Sequence, residues 1–234
     1  MRIGVVTFPG SNGDHDALAA VELGLHQEAI AIWHKDHELG DVDALLVPGG
    51  FSWGDYLRAG AIARFAPVMD AVIEFAEAGY PVLGICNGFQ ILTEAGLLPG
   101  ALLKNSGLTF SCRWVHVRVE TDRTPFTHGI DPGTVLRLPI AHGQGRYFAP
   151  PEIVSDLEKN DQIIFRYTDR HGVENDDANP NGSLRNIAGV SNRAGNVVGL
   201  MPHPERAYDA ALGGDDGLQI LGAMLRSRMA VAAK

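Results

Sequence analysis

The sequence predicts one α/β domain over residues 1–234, with a mostly parallel central sheet flanked by helices and a second half rich in strands. Three observations predict it. Short apolar runs alternate with segments whose apolar residues recur at helical spacing. Hydrophobic residues make up 45% of 234, enough to fill a complete core. No repeat, low-complexity tract or linker divides the chain.

Charge and composition exclude several classes of partner. Acidic residues number 28 against 19 basic ones, a formal net charge of -9, and Lys and Arg form no cluster, so nucleic acid is not an expected partner. The opening Met-Arg-Ile-Gly-Val-Val reaches Pro9-Gly10 too early for a signal peptide, and no apolar run approaches a bilayer's thickness. The expectation is a cytoplasmic protein without membrane contact. Two cysteines, Cys86 and Cys112, are too few for a disulfide framework and suit a reducing compartment. Cys112 reads as core.

In order, Arg2–Thr7 reads as a buried strand, closed by Pro9-Gly10 and Asn12-Gly13 before a helix over about 14–27. The glycines here match neither a dinucleotide fingerprint nor a Walker loop. Residues 29–34 predict the second strand. The tract His34, Asp36, His37, Glu38 has no known metal-ligand spacing, so it reads as a solvated loop and no metal is expected. Residues 43–47 predict a third strand, running into Pro48-Gly49-Gly50-Phe51-Ser52-Trp53-Gly54-Asp55-Tyr56. Such a glycine-rich segment at a strand's carboxyl end presents backbone N–H groups to a crevice, or else makes a tight turn around a packed aromatic. A helix over 61–77 would bury Ile62, Phe65, Val68, Met69, Val72 and Phe75. Residues 82–92 form an apolar strand that turns at Cys86 and leaves as a helix ended by Gly96. Residues 97–110 read as irregular and 114–120 as a half-solvated strand, with Val115, Val117 and Val119 alternating inward. Residues 135–140, 162–167, 187–191 and 197–201 predict further strands, and 169–186 a surface loop. Asp215 or Asp216 caps a last helix with Leu218, Leu221, Leu225 and Met229 along one face.

The chemistry centres on Cys86. A strand that reverses sharply into a helix needs lateral room, and Gly84 and Gly88 supply it on either side. Gly-x-Cys-x-Gly is thus the thiol form of a nucleophile elbow, with the sulfur over a helix N-terminus that favours an anion and lowers the thiol pKa. An ordinary thiol near 8.5 is only about 3% thiolate at pH 7. These five residues alone fit a buried cysteine at a strand end equally well. The chain has nine histidines, and one stands in a stiff segment, Val198-Gly199-Leu200-Met201-Pro202-His203-Pro204-Glu205-Arg206. In extended backbone His203 and Glu205 share a face, so Glu205 can accept from one ring nitrogen while the other faces the sulfur. Alone, this segment also fits a loop with a surface ion pair. Joined to the elbow, it makes Cys86 the candidate nucleophile, His203 the base and Glu205 its orienting group. The order of these residues departs from that of an α/β-hydrolase.

Gly-Ile-Cys-Asn-Gly-Phe-Gln with Met-Pro-His-Pro-Glu-Arg resembles the class I glutamine amidotransferase family. Pro-Gly-Ser-Asn, Pro-Gly-Gly-Phe-Ser-Trp-Gly-Asp-Tyr, Arg-Ala-Gly-Ala-Ile-Ala, Ala-His-Gly-Gln-Gly-Arg and Asn-Pro-Asn-Gly-Ser are similar, more narrowly, to its branch serving the fourth step of purine synthesis. This resemblance implies a flavodoxin-like fold and L-glutamine as substrate, with the oxyanion held by backbone N–H groups of Gly50 and Asn87. Gln90 matches the family position that contacts bound glutamine, a plain helix-surface role being the alternative. The chain has no ATP-binding motif, so no cofactor is expected in it. The resemblance implies ATP and Mg on a separate large synthetase subunit that converts formylglycinamide ribonucleotide to formylglycinamidine ribonucleotide, with a small accessory subunit as a further candidate partner. Gly13, Trp53 and Gln144 depart from the family pattern, which carries cysteine, tyrosine and glutamate there. Gln144 bears on the loop holding His142, whose role stays open.

Other readings stay open at this level. The amide acceptor could belong to guanylate, anthranilate or imidazole glycerol phosphate synthesis. A cysteine elbow on a similar sheet also occurs in the deglycase and chaperone family, and a regulatory binding module could retain the fold.

Overall fold

The computed structural model describes the backbone over residues 1–232 and the side chains through Arg228. Apolar runs without polar alternation form strands that must be covered on both faces, and the first half supplies them. These are β1 (Arg2–Thr7), β2 (Glu28–Trp33), β3 (Ala44–Val47) and β4 (Val82–Ile85), with α1 (Asp14–Ala19), α2 (Val68–Glu77) and α3 (Asn87–Glu94) between and after them. The second half adds β5 (Ala101–Leu103), β6 (Ser111–Val119), β7 (Val135–His142), β8 (Arg146–Phe148), α4 (Pro151–Lys159), β9 (Ile163–Thr168), β10 (Ile187–Ser191), β11 (Val197–Leu200) and α5 (Gly217–Ala232).

Among the described residues the main sheet has nine strands in the order β2-β1-β3-β4-β11-β10-β9-β6-β7. From β2 to β11 every pairing is parallel, which is the doubly wound flavodoxin order, and from β11 to β7 every pairing is antiparallel. The strand-rich second half therefore extends the parallel core within one sheet, while β5 and β8 pair separately. In this topology the carboxyl ends of β1, β3, β4 and β11 converge, and ligands bind in such a crevice.

Several elements differ from the sequence reading, each for a local reason. The first helix stops short of residue 27. After α1 the chain widens into a π-type turn, Ala20–Gly24, in which the Leu25 N–H bonds the Ala20 carbonyl. The helix expected over 61–77 begins only at Val68, because Pro67 forces Ala66 into extended backbone (ψ 141). Ala63–Phe65 is a separate tight turn, and Phe65 points outward at 76% exposure instead of joining the core. Cys112 is exposed, not core, since on β6 it lies on the face opposite Val115, Val117 and Val119, which are buried. His34 does not belong to a solvated loop: it is buried between Trp33 and Trp53, with ring centroids 4.5 and 5.0 Å away. The 169–186 segment is a loop, yet Asn181 and Ser183 within it are buried. On α5 the core side chains are Ile220, Leu221 and Met224, with Leu218 and Leu225 half-buried and Met229 outside the described side chains. The Asp216 carboxylate just before α5 accepts from the Arg137 N–H on β7, tying the helix start to the sheet.

Candidate active site at the carboxyl ends of the parallel strands

β4 ends at Ile85, and Cys86 follows with φ 50 and ψ -102, a left-handed state that a non-glycine residue holds only under constraint. Its N–H donates to the Leu200 carbonyl on β11 at 2.8 Å, and α3 begins at the next residue. The flanking glycines permit this. A Cβ on Gly88 would sit 1.8 Å from the Val47 carbonyl oxygen, and one on Gly84 2.8 Å from the Gly88 carbonyl carbon. The elbow is thus pressed directly onto the end of β3.

That contact brings the glycine-rich segment after β3 beside the cysteine. The point where a Cβ on Gly49 would lie is 2.7 Å from His203 Cε1 and 3.6 Å from Cys86 Cβ, so imidazole and thiol flank one glycine. The N–H groups of Gly50 and Asn87 have no acceptor among the described residues. Asn87 braces the segment with its side chain, whose Oδ1 accepts from the Ser52 N–H at 3.1 Å.

His203 and Glu205 are fully enclosed. The imidazole Nδ1 lies 2.6 Å from Glu205 Oε1, so Nδ1 donates to the carboxylate and Nε2 is left to exchange a proton with the cysteine. Nε2 and Glu205 Oε2 find no partner among the described residues. The expected extended arrangement is not what joins the two. Pro204 opens a tight turn over Pro204–Arg206, and the carboxylate curls back to the ring. Burial alone would pull the His203 pKa down, but the Glu205 carboxylate and the neighbouring Cys86 sulfur outweigh it and raise it to about 10. Cys86 Sγ itself is aimed at the Ala141 carbonyl, 3.8 Å away.

A cleft of about 140 Å³ opens beside Cys86, lined among others by Gly50, Asp55, Gln90, Phe110 and His142. Its size suits a small metabolite rather than a large ligand. Gln90 is a buried strut in this state: its Oε1 accepts from Asn87 Nδ2 at 2.8 Å and its Nε2 donates to the Gln144 carbonyl at 2.6 Å. A helix-surface role is therefore ruled out. The bond to residue 144 uses its backbone, so it does not depend on a glutamine side chain there.

Asp55 escaped the sequence reading and His142 kept an open role there; a third residue supports His142. Asp55 is raised to about 6 by burial, and its Oδ1 lies 3.4 Å from Asn87 Nδ2. His142 is held neutral, its pKa pulled down to about 4 chiefly by burial. Its Nδ1 donates to Asn105 Oδ1 at 3.1 Å, because that amide's NH2 is committed to the carbonyls of Thr109 and His142. Asp55 is the one carboxylate in the glycine-rich segment, a signal the sequence did contain. Asn105 reaches the site only through packing, and nothing local marks it.

Known proteins share this sequence and this fold. Residues 1–213 match the CobB/CobQ-like glutamine amidotransferase domain. The phosphoribosylformylglycinamidine synthase subunit PurQ of Thermomicrobium roseum is 64% identical over 99% of this chain and 98% of its own length, and that of Salinibacter ruber is 54% identical over 99% of both. A chain in the structure of PurLQS from Thermotoga maritima superposes with a TM-score of 0.85 at 43% identity, covering 97% of this chain and 98% of that one. On these matches the chain belongs to the CobB/CobQ-like glutamine amidotransferase family, alongside the PurQ subunits of phosphoribosylformylglycinamidine synthase.

Proposed function

We propose that this single domain, residues 1–234, is the glutaminase subunit of a phosphoribosylformylglycinamidine synthase. The observation that carries the chemistry is His203, with Nδ1 held by Glu205 and Nε2 unspent beside Cys86. Nε2 holds the proton that Cys86 gives up, sulfur bonds the side-chain amide carbon of L-glutamine, and the carbonyl π electrons move onto oxygen. The N–H groups of Gly50 and Asn87 meet that oxyanion, each such donor being worth about 3 kcal/mol. Collapse expels the amide nitrogen, which takes the proton from His203 and leaves as ammonia, giving a γ-glutamyl thioester. Water then gives a proton to the freed Nε2 while its oxygen attacks the thioester, and glutamate leaves as the proton returns to sulfur.

Free ammonia is protonated in water, so the site is useful only against an enzyme that consumes it. The relatives' names support a phosphoribosylformylglycinamidine synthase of several subunits; on our reading the partner is an ATP- and Mg-dependent synthetase subunit that aminates formylglycinamide ribonucleotide to formylglycinamidine ribonucleotide in purine synthesis, with a small accessory subunit completing the assembly. The reading places the complex in the cytoplasm. Cys86→Ser in the assembled complex is expected to abolish glutamine-dependent synthesis while ammonia-dependent synthesis continues, and diazo-oxonorleucine is expected to label Cys86, read by mass spectrometry. Glutamine-dependent synthesis that survives Cys86→Ser overturns the reading.

A further inference from the structure

Glutamine is a zwitterion, and the cleft must meet both of its α-substituents. The N–H groups of Gly143 and Gln144 have no acceptor among the described residues and suit the carboxylate. The ammonium needs a negative partner, and among the cleft's lining side chains Asp55 is the carboxylate available. The Gln90 carbonyl oxygen is committed to Asn87, and the His142 ring is neutral. The nearest cation in sequence, Arg58, is committed to Glu94 through two bonds of 2.6 Å, and among the described residues no ion pair reaches Asp55. We propose that Asp55 receives the α-ammonium of the substrate and makes the cleft specific for glutamine whose α-amino group is free.

This rests on the glutaminase reading and deepens it. A carboxylate raised to about 6 by desolvation is one whose countercharge has yet to arrive, and a bound ammonium supplies it. Glutamine within a peptide, or acylated at nitrogen, carries no such charge and leaves the Asp55 carboxylate uncompensated in a desolvated site, the kind of mismatch that discriminates strongly. Asp55 sits at φ 54, a conformation asparagine tolerates well, so Asp55→Asn removes the charge without straining the backbone.

The test compares L-glutamine with glutaramate, which is glutamine without the α-amino group, in the complex with the synthetase. Asp55→Asn is expected to raise KM for glutamine at least tenfold, with most of the loss in KM rather than kcat. The inhibition constant of glutaramate should move less than twofold. Asp55→Glu should recover part of the glutamine affinity. If Asp55→Asn weakens both compounds alike, Asp55 acts only through Asn87 and the assignment is wrong; if it weakens neither, Asp55 does not touch the ligand. A wild-type complex that fails to consume glutamine instead overturns the glutaminase reading itself.

Discussion

Glu205 is enclosed, one of its oxygens has no hydrogen-bond partner among the described residues, and the other meets His203 at 2.6 Å with Arg206 Nε 4.0 Å away. Glu205→Gln keeps the shape but removes the carboxylate that offsets burial at the imidazole. Glutamine-dependent kcat is expected to fall on the order of 10²–10⁴-fold, measured by steady-state kinetics in the complex. His142 responds oppositely. Its unfolded imidazole titrates near 6.5, while the folded one resists protonation until about 4. Between those values the unfolded chain binds a proton the folded chain does not, so this group's contribution falls as pH drops from 6.5 toward 4 and levels off below. His142→Gln removes that slope, and its stability deficit against wild type should shrink by about 2 kcal/mol between pH 7 and pH 5 in urea titrations. At this scale Cys86, His203 and Glu205 were legible because a short spacing carries each motif. Asn105 was not, because it meets His142 from a different loop.

The elbow shows what local pattern fixes within an element and what it leaves to packing. Gly88 is required by the approach of α3 to β3, where the obstacle is the Val47 carbonyl, a backbone atom that cannot step aside. Gly96 has φ 77 after the end of α3, and a Cβ added to it would meet nothing within 4 Å, so only conformational strain opposes a side chain there. Gly88→Ala is therefore expected to destabilise by about 3 kcal/mol or more and to lose glutaminase activity, whereas Gly96→Ala should cost about 1 kcal/mol; chemical denaturation distinguishes them. The strands of the parallel core were legible as apolar runs between turn signals. The helix over 61–77 was overextended because its apolar spacing continues across Pro67, where the backbone cannot. α4 went unread because its start lies in Pro150-Pro151, which looks like a break although proline suits a first helical turn.

Across the whole molecule, the site depends on strand order, which no local pattern discloses. The parallel pairing of β4 with β11 sets Gly84 against Gly199 and Leu200 against Ile85, and this register delivers His203 to Cys86 from a distant part of the chain. The same end of the sheet carries an apolar rim. Phe51 and Phe110 line the cleft with ring centroids 6.3 Å apart. Beside them in sequence stand Tyr56 and Leu57, 72% and 83% exposed, after a run of left-handed residues at Trp53, Gly54 and Asp55. Exposed apolar groups clustered at a site mark a surface that another protein covers. In the isolated chain Sγ lies 3.8 Å from the Ala141 carbonyl, and a partner covering this rim is positioned to bias how thiol and imidazole meet. The isolated chain should accordingly hydrolyse glutamine at least tenfold more slowly than the complex. Leu57→Asp places a charge in that rim at a residue with φ 70, which aspartate accommodates at least as well as leucine, so thermal stability should hold. Affinity for the synthetase should fall at least tenfold, about 1.4 kcal/mol, with glutamine-dependent synthesis falling alongside at limiting subunit concentration and recovering when the partner is in excess. A variant that binds normally places the docking surface elsewhere, and an isolated chain as fast as the complex removes the need for activation by a partner.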